Sequence, residues 1–259
     1  MKTVLLTRNR LRISALALAA LAVPLAAQAA LVVHLPFEGS ASDISGTGNN
    51  GSILGGASFG SGVIGQALSV ANGGGTENQG VNVPASASLS SNVFTLAYWI
   101  MPTALQGNAG LERLTSREGD AFETAIGDRN AVGGAADPLT LSYYQTTGWH
   151  STGTAVPLNE WTHVAWRNNG PGGSDMNLLI NGVSVFSGPG VPGGGPSSGF
   201  MNIGTRHNNV EGFEGMMDDF RLYDSALSDG EIAALVPEPS AATLALLAVG
   251  AVGLRRRRK

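Results

Sequence analysis

The chain has 259 residues with 37 Gly, 4 Trp, 4 Tyr, 8 Phe and no Cys, which suits one turn-rich β domain and excludes disulfides and thiolate metal sites. Basic residues crowd the two ends: Lys2, Arg8, Arg10 and Arg12 at one, Arg255, Arg256, Arg257, Arg258 and Lys259 at the other. Between them six arginines face eighteen carboxylates, a formal −12 that argues against nucleic acid as a partner.

The basic start runs into an apolar stretch, residues 13–26, and then Ala27-Gln28-Ala29. Small residues at these positions predict a signal peptide over residues 1–29, cleaved after Ala29. The mature chain opens with a strand over residues 31–37 (LVVHLPF), where Pro36 marks a strand end. Residues 39–62 hold Gly, Ser, Asn and Asp at nearly every other place and read as one long loop. Short strands follow at 65–70 and 80–83. A heavier one, 94–101 (FTLAYWIM), is too apolar for a sheet edge. The series continues at 111–116, 122–126 and 139–144. In 161–167 (WTHVAWR) alternation sends Trp161, His163 and Ala165 one way and Thr162, Val164 and Trp166 the other. Asn181-Gly182 predicts a tight hairpin between 178–180 and 183–186. Residues 188–199 (GPGVPGGGPSSG) read as a surface loop, and 200–203 as a further strand.

The closing strand, 216–223, alternates so that Met216, Asp218, Phe220 and Leu222 share one face and Met217, Asp219, Arg221 and Tyr223 the other. Asp218 is thereby expected among apolar neighbours. There its carboxylate needs hydrogen bonds or a cation. Ser228 and Glu231 then have capping-box spacing for a short helix that Val236-Pro237 ends. About a dozen short strands without a strong helix predict an all-β, antiparallel two-sheet sandwich.

Among reactive side chains, His34, His150, His163 and His207 lie on four separate elements with no motif that assembles them. They are expected in the core or at the surface. Trp149 with His150, Tyr143 with Tyr144, and residues 206–209 (Arg206 to Asn209) form a candidate sugar-binding surface by stacking and bidentate contacts.

Several phrases in order carry a resemblance over residues 31–235: PFEG, DISGTGNNG, GQALSV, FTLAYWI, LNEWTHVAW, LLINGV and GFEGMMDDFRLYDSALSDGEI. The chain resembles the laminin G-like jelly rolls of the concanavalin A-like superfamily. The resemblance implies a jelly roll over residues 30–235 that works as a binding or adhesive module. It also implies one calcium joining the loop after the first strand to the closing strand, which here means Glu38, Asp43, Asn50 and Asp218. Calcium is therefore the expected cofactor. Glu118, Asp120 and Glu123 match the E-x-D-x-x-E spacing of β-glucan hydrolases on this jelly roll, but Gly119 stands where those enzymes carry a branched apolar side chain. Catalysis is not expected.

The end of the chain, residues 236–259, has three parts. Pro237, Glu238 and Pro239 precede an uncharged stretch from Ala241 to Leu254, and the basic residues 255–259 close it. This resembles the PEP-CTERM sorting signal of exopolysaccharide-making Gram-negative bacteria. It implies an exosortase as processing enzyme and a membrane-anchored intermediate that ends at the envelope surface or in the extracellular matrix. As a helix, residues 241–254 measure roughly 21 Å against a hydrocarbon core of roughly 30 Å. They are a short transmembrane span, with the basic tail resisting export. The sequence thus describes an exported, surface-sorted module that binds or adheres, associated with extracellular polysaccharide or a surface protein. A lectin-like domain with a defined sugar site is the main alternative, and a β-glucan hydrolase the lesser one.

Overall fold

A computed structural model of the protein describes residues 29–73, 77–105, 111–117, 123–127, 138–145, 148–169, 176–190 and 199–237. The signal peptide, save Ala29, and the tail from Glu238 onward, including Glu238, Pro239 and residues 241–259, lie outside them. So do Glu118 and Asp120. Among the described residues no helix is long and apolar enough to cross a membrane.

In chain order the strands are β1 (Leu31–Leu35), β2 (Ser52–Leu54), β3 (Ser58–Ser61), β4 (Gln66–Ala71), β5 (Gly80–Val83), β6 (Phe94–Pro102), β7 (Glu112–Arg117) and β8 (Glu123–Ile126). Then come β9 (Thr140–Gln145), β10 (Gly148–Ala155), β11 (Thr162–Asn168), β12 (Met176–Ile180), β13 (Val183–Gly188), β14 (Met201–Ile203) and β15 (Glu214–Tyr223), followed by helix α1 (Asp229–Ala233). They form two antiparallel sheets. The first runs β13-β12-β11-β6-β15-β4-β3, with β1 also paired to β15; the second runs β10-β9-β8-β7-β14-β5-β2. The jelly-roll sandwich expected from the sequence is therefore the fold.

The core lies between the sheets, where alternate residues of both meet. Val164 and Trp166 point into it while Ala165 packs in a separate cluster, as the alternation of 161–167 requires. Trp166 Nε1 donates to the Tyr98 hydroxyl (3.0 Å), which also bonds Thr124 (3.0 Å). This ties the first sheet to the second through satisfied polar atoms, as burial demands. Outside the first sheet, α1 lays Ile232 against Ala97, Ala165, Leu179, Tyr223 and Leu227. Ser228 and Glu231 close the expected capping box, and Asn181 (φ 49°) and Gly182 (φ 78°) make the expected hairpin turn.

Two expectations are corrected. Residues 39–62 are not one loop, since β2 pairs with β5 and β3 with β4. Both are short strands whose pairing comes from their neighbours rather than from an apolar pattern of their own. The alternation of the closing strand also breaks. A bulge lies between Asp218 and Arg221, with Asp219 at φ 49°, and one extra residue reverses the phase. Met217 and Phe220 both enter the core, so Asp218 does not share the face of Phe220. It lies on the outer side of the first sheet, in register with Trp99.

Candidate functional site

The outer face of the second sheet carries a row of polar and aromatic side chains. Leu114, Ile126, Leu141, Tyr143 and Met201 face the core, so their strand neighbours Arg113, Glu123, Tyr144 and Asn202 are turned outward. Glu123 pairs with Tyr144 across β8 and β9, and Tyr144 with Trp149 across β9 and β10. These three side chains therefore line up over three adjacent strands.

Arg113 organises the row. Its guanidinium lies over the Trp149 ring, 4.2 Å from the centroid, a cation–π contact. It forms an ion pair with Glu123 and a two-pronged pair with Glu211, through Nε (2.8 Å) and Nη2 (2.6 Å). Burial pushes the Arg113 pKa below its ordinary value, and the charges of Glu123 and Glu211 oppose that shift. Glu123 has its other oxygen occupied by the Ser116 hydroxyl (2.6 Å). Ser116 in turn accepts from the backbone N–H of His207 (3.2 Å). The segment after β14 closes the site from one side. There Asn209 and Glu211 have φ of 60° and 54°, a left-handed conformation that costs about 1 kcal/mol or more for such residues and aims the Glu211 carboxylate at Arg113. Arg206 lies 3.7 Å from Glu211, and Asn202 bonds Asn82 (2.8 Å) and the Arg206 carbonyl (3.1 Å).

Of the sugar-surface candidates, Trp149, Tyr144, Arg206 and His207 converge on this face. Tyr143 and His150 do not: Tyr143 is buried in the core and stacks on His150 at 5.3 Å. Asn208 and Asn209 are exposed beyond the rim. Arg113, Glu211 and Ser116 were not anticipated from the sequence. The available signal was a pair of charges, Glu112 and Arg113, at the start of an otherwise strand-like run.

The expected metal ligands gather in two places rather than one. Asp43 Oδ1 accepts from the backbone N–H groups of His34 and Ser45, and Oδ2 from Ser45 Oγ, Thr47 Oγ1 and the Asn49 N–H, all within 3.0 Å. A carboxylate offers about four acceptor sites, so Asp43 is saturated, and these bonds hold its pKa below the usual range against the effect of burial. Asn50 Oδ1 takes the Asp43 N–H (2.9 Å). Glu38 and Asp218 bind the β3–β4 turn instead, Glu38 at Gln66 N (3.1 Å) and Asp218 at Val63 N and Ile64 N (2.8 and 2.9 Å). Among the described residues no three His, Asp or Glu side chains are placed to hold a metal. With Asp43 saturated by protein donors the four residues do not meet around one shared cation, although Asp218 Oδ1 is buried without a hydrogen-bond partner.

A native-state cation at a hundredfold excess over its Kd would add about 2.7 kcal/mol. EDTA is accordingly expected to leave the melting temperature unchanged, whereas Asp43→Ala lowers it with or without chelator. A fall on chelation that Asp218→Ala abolishes would restore the metal.

Three comparisons bear on this architecture. A family profile described as the concanavalin A-like lectin/glucanases superfamily matches residues 73–233, and the PEP-CTERM protein-sorting motif matches residues 235–259. No curated protein matches the chain. Among solved structures, the fold is similar to domain 4 of AbnA, a GH43 extracellular arabinanase from Geobacillus stearothermophilus, in complex with arabinotriose. The TM-score is 0.61 at 22% identity, over 81% of this chain and 99% of that one. It is also similar to the binding domain of Paraclostridial Mosquitocidal Protein 1, with TM-score 0.60 at 19% identity over 80% and 51% of the two chains. A third is the binding domain of Botulinum neurotoxin DC in complex with SialylT, with TM-score 0.58 at 14% identity over 80% and 50%. With the profile covering well over half the chain and the two-sheet fold in agreement, this protein belongs to the concanavalin A-like lectin/glucanases superfamily and ends in a PEP-CTERM sorting signal.

Proposed function

We propose that the protein is an exported, envelope-sorted carbohydrate-binding module without catalytic activity, which holds extracellular polysaccharide on the outer face of its second sheet. The observation that carries this reading is the row Glu123, Tyr144 and Trp149 with Arg113 fixed over the indole. A sugar ring offers an apolar C–H face and a rim of hydroxyls. The part-exposed rings of Tyr144 and Trp149 match the first, and the part-exposed Arg206, His207 and Glu211 beside them the second, while buried Arg113 and Glu123 hold the rings and Glu211 in place. Similar folds occur in the complexes of AbnA domain 4 with arabinotriose and of the Botulinum neurotoxin DC binding domain with SialylT, which supports a glycan as the ligand class. A glycosidase needs one carboxyl group free to give a proton to the leaving oxygen. Glu123 instead has its oxygens engaged by Arg113 and Ser116. The sorting signal supports handling by an exosortase and release from a membrane-held intermediate to the envelope surface or matrix.

A glycan array probed with the mature protein is expected to give binding that Trp149→Ala weakens roughly tenfold, about 1.4 kcal/mol. No reducing ends should be released from the bound glycan or from β-glucans. Binding unchanged in Trp149→Ala would remove this face as the site, and an empty array would remove the glycan.

A further inference from the structure

Both ends of the folded body emerge on the same side. Ala29, Leu31 and Leu235 pack against the apolar cluster of Ala97, Ala165, Tyr223 and Ile232 outside the first sheet. At the entry, Ala30 and Asp224 exchange two hydrogen bonds, Ala30 N to Asp224 Oδ1 and Asp224 N to the Ala30 carbonyl, each 3.1 Å. At the exit, Val236 lies beside the hairpin turn at Gly182, its Cγ2 3.7 Å from where a Cβ there would stand. The Trp149 face belongs to the other sheet. Stacked sheets lie about 10 Å apart, with a further layer of side chains on each outer face.

Only residues 237–240 separate Val236 from the apolar stretch that begins at Ala241. The five steps from Val236 to Ala241 reach at most roughly 18 Å when fully extended, with or without the two prolines. The exit point is therefore confined near the bilayer for as long as the tail is inserted. Asp224, Asp229 and Glu231, all exposed on this side, disfavour adsorption to acidic headgroups.

We infer that in the membrane-held intermediate the first sheet and α1 face the bilayer while the Trp149 face points away from it, so that ligand can be captured before the chain is released. The inference rests on the reading of the tail as a membrane anchor, and its second half on the Trp149 face as the ligand surface.

The chain has no cysteine, so a single introduced thiol reports one position. The full-length protein with Pro237, Glu238 and Pro239 replaced by alanine, and carrying either Ala234→Cys at the end of α1 or Ser151→Cys on β10, is treated in spheroplasts with a bulky poly(ethylene glycol) maleimide. Ala234→Cys is expected to react roughly tenfold slower than in detergent, because the short linker holds it against the bilayer. Ser151→Cys should react equally in both. Equal protection of the two positions, or of neither, overturns the orientation. Recovery of the variant in the soluble fraction overturns both the anchor and the orientation. An empty glycan array with the protection pattern intact removes the ligand and leaves the orientation standing.

Discussion

Arg113→Met is expected to destabilise the domain by about 3–5 kcal/mol, the penalty for removing one member of a buried ion pair. The side chains of Arg113 and Glu123 are 1% and 2% exposed, so the variant leaves a carboxylate inside the protein with the Ser116 hydroxyl at 2.6 Å and His207 Nδ1 at 3.8 Å in place of a fixed guanidinium. Glu211 is less affected because its side chain is 18% exposed and water can reach it. The penalty comes from the stranded charge more than from lost attraction. Arg113→Met with Glu123→Gln should therefore recover most of the loss, although neither pair nor cation–π contact is restored. Arg113→Lys should behave like the single variant, since an ammonium cannot fork to two carboxylates while lying flat on an indole. Urea unfolding of the four proteins measures this directly. A loss below about 1 kcal/mol in Arg113→Met would match an exposed surface pair and would contradict the burial on which the site is built.

How much of this was legible in the sequence depended on whether the cause was local. The Asn181-Gly182 turn, the Ser228 to Glu231 capping box and the alternation of 161–167 each depend on a few neighbouring residues, and each stands in the structure. The bulge at Asp219 has a different origin. It lies where β15 passes from pairing with β4, which ends at Met217, to pairing with β1, which begins at Phe220. Nothing in DDFR announces that change of partner, although Asp tolerates the left-handed conformation better than most residues. Strands β2, β3 and β10 were missed for a related reason: rich in Gly, Ser and Thr, they owe their extended form to a neighbour's unpaired edge. The site divides in the same way. Trp149 and Tyr144 were visible as adjacent aromatic pairs, whereas Arg113 meets Glu211 across 98 residues of sequence, a contact that only the completed fold brings about.

Between pH 6.5 and 4 the protein is expected to lose about 3 kcal/mol of stability through one residue, His163. Its imidazole is 2% exposed, set on β11 in register with Trp99 and edge-on to that indole at 5.2 Å. Its Nδ1 is buried without a hydrogen-bond partner. Burial drives the pKa from 6.5 to about 4; the charge of Asp219 resists this and that of Arg221 assists it. In the unfolded chain the same histidine takes up a proton near pH 6.5. As pH falls below that value the unfolded state binds a proton that the native state refuses, and stability declines by roughly 1.4 kcal/mol per pH unit until the folded pKa is reached. The neighbouring carboxylates act elsewhere on the scale. Asp219 and Asp43 have lowered pKa values, so their contribution is present above the ordinary aspartate range and is lost only as pH falls through their folded values. Asp218, raised by burial, gains stability as pH falls toward its ordinary value and offsets part of the loss at the acidic end. His163→Phe keeps an aromatic ring against Trp99 and removes the titration. Its unfolding free energy should stay level from pH 7 to 5 relative to the wild type, with the two curves diverging steadily as pH falls. Parallel curves over that range would show that His163 takes up its proton as readily in the native state as in the unfolded one, contrary to the dry environment described for it.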